Sequence, residues 1–325
     1  MVSTPEVAGD LLFIGSCAGT FYALDRTTGK IRWSYDAGQE GRVEFHGNPL
    51  LTQDLIVIGT DIKDQPSGVG YVYAFQKATG EVRWRAAAGR GVASDIIRVG
   101  SAAYGVTLND ELISIDLNTG TLKWSFSTRP DRHDLLPAAP VASGDHIFFG
   151  DRDGGLYALN PETGKLAWKR DLGTPISTSL VTAGEYLYFG AANHVLCVDA
   201  RTGRVKADYL ADGWSFGRPV IAGDSLLIFI GETLTSMDLS LKKTRWRQKA
   251  NGKWRTPRPH LWRQSVLVGN EFGNIFAFRI SDGRQLWTGT FEGIIRSVGS
   301  ADQVLYIGTR QGAVYACVPE VETRP

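Results

Sequence analysis

The sequence predicts an all-β protein, an eight-bladed β-propeller of four-stranded antiparallel blades whose last blade is incomplete. Three observations carry this. One phrase, clearest as Gly-Thr-Phe-Tyr-Ala-Leu-Asp-Arg-Thr-Thr-Gly-Lys-Ile-Arg-Trp from Gly19 to Trp33, returns along the chain. It ends again at Trp84, Trp124, Trp168, Ala207, Trp246 and Trp287, and an eighth copy runs out after Val318. A period of about forty residues makes one small sheet per repeat, and such a sheet buries its apolar faces only against its neighbours. Short runs rich in β-branched and aromatic residues alternate with Gly, Asp and Asn turns, and nothing of helical period interrupts them. Four strands repeated radially make a propeller blade.

The fourth copy shows each element in order. Pro140–Ser143 reads as the first strand, stopped by Gly144-Asp145. His146–Phe149 is the second, Gly155–Leu159 the third and Lys165–Trp168 the fourth, with turns at Asp151–Gly155 and Asn160–Gly164. The same reading sets repeat units at 3–36, 47–87, 92–127, 138–171, 177–210, 218–249, 258–290 and 296–318, one domain over 1–325 with 319–325 as a polar tail. The first unit opens at once on Ser3–Val7, an innermost strand, and the last lacks a fourth strand. In the turn before the fourth strand, Asp25, Asp116 and Asp199 are placed to accept from backbone amides two residues on, and Gly supplies a positive φ. The sixth copy has Ser240-Leu-Lys-Lys243 there and needs another turn. A small residue recurs at Ala23, Ala74, Ser114, Ala158, Ser236, Ala277 and Ala316, with Cys197 in the fifth copy. The closing Trp is expected to cover the seam between sheets, over the small residue of a neighbour.

Composition removes several functions. Thirty-five Lys and Arg against 34 Asp and Glu leave a net charge of +1, so no global field favours nucleic acid or an anionic membrane. Cys17, Cys197 and Cys317 are far apart and odd in number, which supports neither a disulfide framework nor a thiolate zinc motif. Cys197 and Cys317 fall at or beside the small repeat position and read as packing residues. Ile14-Gly-Ser-Cys17 imitates a lipoprotein cleavage site, but Glu6 and Asp10 precede it and the apolar run is only Leu11–Ile14. As written, the chain is expected to be soluble and monomeric, with no export signal and no membrane span. That leaves it cytoplasmic, or periplasmic or extracellular if an upstream signal is removed.

The phrase Gly-x-Leu-Tyr-Ala-Leu-Asp-x-x-Thr-Gly-x-x-x-Trp, matched nearly residue for residue by Gly154–Trp168 and Gly19–Trp33, resembles the repeat of the pyrroloquinoline-quinone-like propeller family. The likeness covers essentially the whole chain. It implies the propeller fold and one of three roles: quinone-dependent dehydrogenase, outer-membrane assembly lipoprotein, or sensor domain of a larger signalling protein. The dehydrogenases resemble one another in adjacent cysteines over the cofactor and a calcium cage of Glu, Asn and Asp. This chain has no Cys-Cys pair, and no motif in it matches the cage.

Function is grafted where architecture leaves positions free. By connectivity, segments joining one blade to the next share a face with the tips of the second-to-third hairpins, and they are unevenly polar and aromatic. Ligand-binding candidates there are Glu44, His46, Asp95, His133, Asp134, Trp214, Arg218, Trp254, Arg255, Arg258, His260 and Arg296. Trp214, Trp254 and Trp262 lie outside the repeat position and beside arginines, a combination suited to planar or anionic groups. His46, His133 and His260 sit in equivalent segments without any local metal-ligand spacing, so neither a metal nor a catalytic residue is assigned. The favoured expectation is a non-catalytic scaffold that binds a protein segment or a small anionic or planar ligand at a Trp/Arg-rich funnel face, with no cofactor. The alternatives are a compact quinoprotein alcohol or sugar dehydrogenase using the quinone with calcium, and the sensor domain.

Overall fold

Each repeat folds into one sheet of strands taken consecutively from the chain. The computed structural model of the protein describes residues 3–41, 43–62, 68–128, 138–249, 251–256 and 258–319. Among these, seven sheets have four strands in the order first to fourth, and the eighth has three. Their strands span 6–36, 50–87, 97–127, 141–171, 181–210, 215–249, 260–290 and 295–317, here blades 1 to 8. The protein is an eight-bladed β-propeller, and the described residues contain one short 3-10 turn, Ala37–Glu40, as their helical content.

In blade 4 the strands are Val141–Ser143, His146–Gly150, Gly155–Leu159 and Leu166–Asp171, on the segments expected. Blade 1 begins later than expected, at Glu6–Ala8. Ser3 and Thr4 are diverted into side-chain bonds: Ser3 Oγ accepts from the Gly15 amide at 2.7 Å, and the Thr4 amide donates to Asn48 Oδ1 at 2.7 Å. Blade 6 begins earlier, with Ser215–Ala222 bulged between Phe216 and Val220. Blade 8 ends on its third strand, Val314–Cys317.

The chain forms two compact units, one within residues 2–173 and one within 174–325. In the first, an apolar layer lies between each successive pair of sheets. Phe13, Phe21, Phe45, Tyr73 and Phe75 fill blades 1 and 2, and Val57, Val72, Trp84 and Ile113 fill blades 2 and 3. Tyr104, Leu112, Phe149 and Tyr157 fill blades 3 and 4. In the second unit the layers hold Tyr188, Ile228 and Leu241, then Phe229, Trp254 and Phe278, then Trp262, Ile295 and Ile307. Second strands are therefore buried on both faces, which is why they read as unbroken apolar runs.

Four closing tryptophans staple their blade to the next, by a contact different from the one expected. Trp33, Trp84, Trp124 and Trp246 donate Nε1–H to the carbonyls of Lys77, Leu117, Pro161 and Ile280, at 2.8–3.0 Å. Each ring lies on the turn glycine of the following blade. A Cβ at Gly80, Gly120, Gly164 or Gly283 would stand 2.5–2.7 Å from indole Cδ2, and all four residues have positive φ. One glycine thus closes its own turn and seats its neighbour's ring. The small repeat residue instead pairs with the Trp of its own blade, as in Ala23 with Trp33 and Ala74 with Trp84.

The fifth copy, lacking Trp, and the sixth, lacking the turn Gly, are two halves of one substitution. Ala207 stands opposite Cys197, so both members of this pair are small. The Tyr188 hydroxyl donates to the Leu239 carbonyl at 3.0 Å, the acceptor position that indoles use elsewhere. In the blade 6 turn Leu241 takes the positive φ, and its buried side chain joins Cys197 and Ala207 in the core. With no indole to seat, no glycine is required.

Candidate functional site

In the first unit the expected meeting of hairpin tips and inter-blade segments occurs at the seam of blades 1 and 2. Ser16 Oγ accepts from the amides of Ala18 and Thr20, at 3.3 and 3.1 Å, which holds the exposed Cys17 at the hairpin tip. The segment entering blade 2 crosses that hairpin: the Phe45 amide donates to Ser16 O at 3.1 Å, and Glu44 and Asp61 exchange two backbone bonds of 3.0 Å. Gly15 permits the crossing, since a Cβ there would stand 2.5 Å from Phe45 Cβ. Phe45 is fully buried, so the period of an extended chain puts Glu44 and His46 together on the opposite side.

There the two side chains meet. His46 Nε2 is 2.9 Å from Glu44 Oε2, and His46 Nδ1 is 2.6 Å from Oδ2 of the buried Asp61. Burial pulls the imidazole pKa down, but Asp61, Cys17 and Glu44 outweigh it and raise it to about 10. The Cys17 thiol is held below its ordinary range, chiefly by its hydrogen bond with His46, against the opposing effect of partial burial. Cys17, Glu44 and His46 present ligand atoms all within 4.8 Å of one another.

Three other charged residues of this unit are structural. Asp95 accepts from the Asn48 amide and side chain at 3.0 and 3.1 Å, clamping the entries to blades 2 and 3. Asp110 and Arg152 form a buried ion pair between hairpin tips of blades 3 and 4. His133 and Asp134 lie outside the described residues, as do Arg42, Arg129, Asp131 and Arg132.

The second unit corrects the expected aromatic cluster. Trp254 and Trp262 are 4 % and 6 % exposed and belong to the core; Trp254 packs against Phe229, Phe276 and Phe278. Trp254 lies in the same layer as the stapling Trp246, and Trp262 in the layer against which Trp287 packs. Trp214 alone of the three stands out, at 51 % exposure, and is joined by Phe272 at 60 %. Phe272 follows Glu271, whose carboxylate pairs with Arg255 at 2.9 Å and is held below the usual range mainly by that bond. The segment Trp254–Thr256 repeats the Glu44–His46 crossing: Trp254 bridges Asn270, and the Arg255 amide donates to Gly269 O at 2.8 Å. His260 Nε2 lies 2.8 Å from Ser300 Oγ; burial, then the nearby Arg258 charge, drives its pKa down to about 4. Arg218 and Arg296 lie on the first strands of blades 6 and 8.

Sequence reasoning therefore found Glu44 and His46 but missed Cys17, Asp61 and Phe272. A repeat-register signal points to the first two. Cys17, Asp61, Arg152 and Glu271 each stand two residues after the glycine that ends a second strand, at Gly15, Gly59, Gly150 and Gly269. At Cys17, Asp61 and Glu271 that position meets a segment entering a blade, and at Arg152 it meets the Asp110 hairpin tip.

Stapled blades with Asp-x-x-Thr-Gly turns, carrying their side-chain chemistry on tips and crossings, define a propeller of pyrroloquinoline-quinone-like repeats. More narrowly, residues 1–64, 46–228 and 191–320 match the family described as outer membrane protein assembly factor BamB, and the chain belongs to that family. It is similar to the outer membrane protein assembly factor BamB of Burkholderia pseudomallei, 24 % identical over 97 % of this chain and 84 % of that one. The protein of the same name from Legionella pneumophila is 26 % identical over 60 % of this chain; the match spans about half, 49 %, of that relative's length. The crystal structure of BamB from Moraxella catarrhalis superposes with a TM-score of 0.79 at 18 % identity, covering 97 % of this chain and 95 % of that one, a likeness of fold.

Proposed function

We propose that this protein is a non-catalytic scaffold that holds protein segments on its tip-and-crossing face, in the assembly of outer-membrane proteins or an equivalent task. The carrying observation is family membership along essentially the whole chain. Support comes from the second unit, where Trp214 exposes a large ring in the segment entering blade 6 and Phe272 exposes one at the blade 7 hairpin tip, next to Glu271, which pairs with Arg255. Exposed aromatics flanked by arginine are the usual anchors of protein contacts. Arg218, Arg258 and Arg296 would add attraction for acidic or phosphate-like groups of the bound segment. The reading asks for no cofactor and places the protein outside the cytoplasm. Among the described residues no helix is long and apolar enough to cross a membrane.

The test is site-specific photo-crosslinking in producing cells. A photoreactive residue at Trp214 or Phe272 is expected to trap protein partners, whereas one at the exposed Leu166 of a fourth strand traps none. Equal yields at all three positions, or none at the first two, would refute the face.

A further inference from the structure

We propose that Cys17, Glu44 and His46 form a binding site for a thiophilic divalent cation of the zinc class, with Asp61 as the positioning residue behind His46. The proposal is independent of the scaffold reading. One thiol, one imidazole and one carboxylate converge from the hairpin tip of blade 1 and the segment entering blade 2. This is a mixed donor set of borderline softness, suited to Zn²⁺ and unsuited to the all-oxygen preferences of Ca²⁺ and Mg²⁺.

The distances are close to what the ion requires. Around tetrahedral zinc, donor atoms stand about 3.3–3.7 Å apart, from bond lengths of roughly 2.0–2.3 Å. The three donors here lie within 4.8 Å, with His46 Nε2 and Glu44 Oε2 at 2.9 Å. The nitrogen–oxygen pair must open by roughly half an ångström and the sulfur must swing in. Cys17 is exposed at a hairpin tip, so rotation about its side-chain bond meets no core.

The support behind the donors is also that of a metal site. His46 turns Nε2 toward the other donors while Nδ1 is held by a carboxylate that is 1 % exposed, the arrangement by which proteins fix a metal-binding imidazole's tautomer and ring plane. The backbone under all four residues is tied together by the Ser16–Phe45 and paired Glu44–Asp61 bonds, and Asp61 is bridged in turn to Gly91. Little ordering is left for the ion to impose. Three protein donors leave one tetrahedral position for water or for a donor from a bound molecule, as in open rather than closed zinc sites.

Cobalt(II) reports this directly. Added to the reduced protein, one equivalent is expected to give a thiolate-to-cobalt charge-transfer band and intense visible bands of tetrahedral cobalt, both removed by Zn²⁺. Cys17→Ser, which alters an exposed side chain and leaves the melting curve in place, abolishes the charge-transfer band. Cys317→Ser retains it. Asp61→Asn keeps the band but weakens cobalt affinity by about 10–100-fold, and Glu44→Gln shifts the visible bands. Absence of a charge-transfer band in the parent protein with cobalt in excess, or its persistence in Cys17→Ser, overturns the site.

Discussion

The seam between blades 2 and 3 and the seam between blades 5 and 6 solve one problem with different residues. In the first, Trp84 lies on Gly120 and donates to Leu117 O. In the second, Ala207, Cys197 and Leu241 occupy the seam and the Tyr188 hydroxyl makes the bond. Two repeat violations that look unrelated, 34 residues apart at Ala207 and Leu241, are thus coupled through contact. Ring and seat change together, because an indole over any Cβ would overlap it and a glycine beneath no ring would leave a void.

That coupling can be broken in graded ways. The largest effect is expected from Trp84→Ala, which removes a ring only 8 % exposed together with its hydrogen bond. It should cost about 3–5 kcal/mol of unfolding free energy in a denaturant titration. Ala207→Trp should not restore a staple but destabilise by about 1–3 kcal/mol, since Leu241 fills the seat. Adding Leu241→Gly to it should recover part of the loss, and strict additivity of the two changes would refute the coupling. Gly120→Ala, at φ +73 with the indole 2.7 Å away, should cost on the order of 1–3 kcal/mol.

Tip-face residues should matter less. The His260 pKa falls from 6.5 to about 4 on folding, so below pH 6.5 the unfolded chain binds more protons. Its contribution is present above pH 6.5 and is lost as pH falls toward 4, about 2 kcal/mol of it by pH 5. His260→Gln should flatten that acidic limb in melts across pH. The smallest change is expected from Arg255→Ala, whose partly exposed pair with Glu271 is worth about 1 kcal/mol or less. A large loss of stability there would mean that the tip face is architectural after all.

The contrast explains what was legible. A residue type that serves the repeat recurs, and recurrence is visible in a single sequence: eight copies, the turn glycines and six closing tryptophans sufficed for the fold. The candidate site is not repeated. Glu44 and His46 drew notice as polar residues in a crossing segment, but Cys17 was set aside as the tail of a false cleavage motif. Trp254 and Trp262 misled because lying outside the repeat position does not make a ring exposed.

The chain by itself determined the number of blades, the strands and their turns, because short-range periodicity and turn chemistry are local properties written into each copy. Only the tertiary structure decided that the turn glycine is the seat of the preceding blade's ring, and that Cys17, Glu44, His46 and Asp61 share one place. Those relations join residues tens of positions apart, and packing one sheet against the next fixes distances that no spacing in sequence encodes.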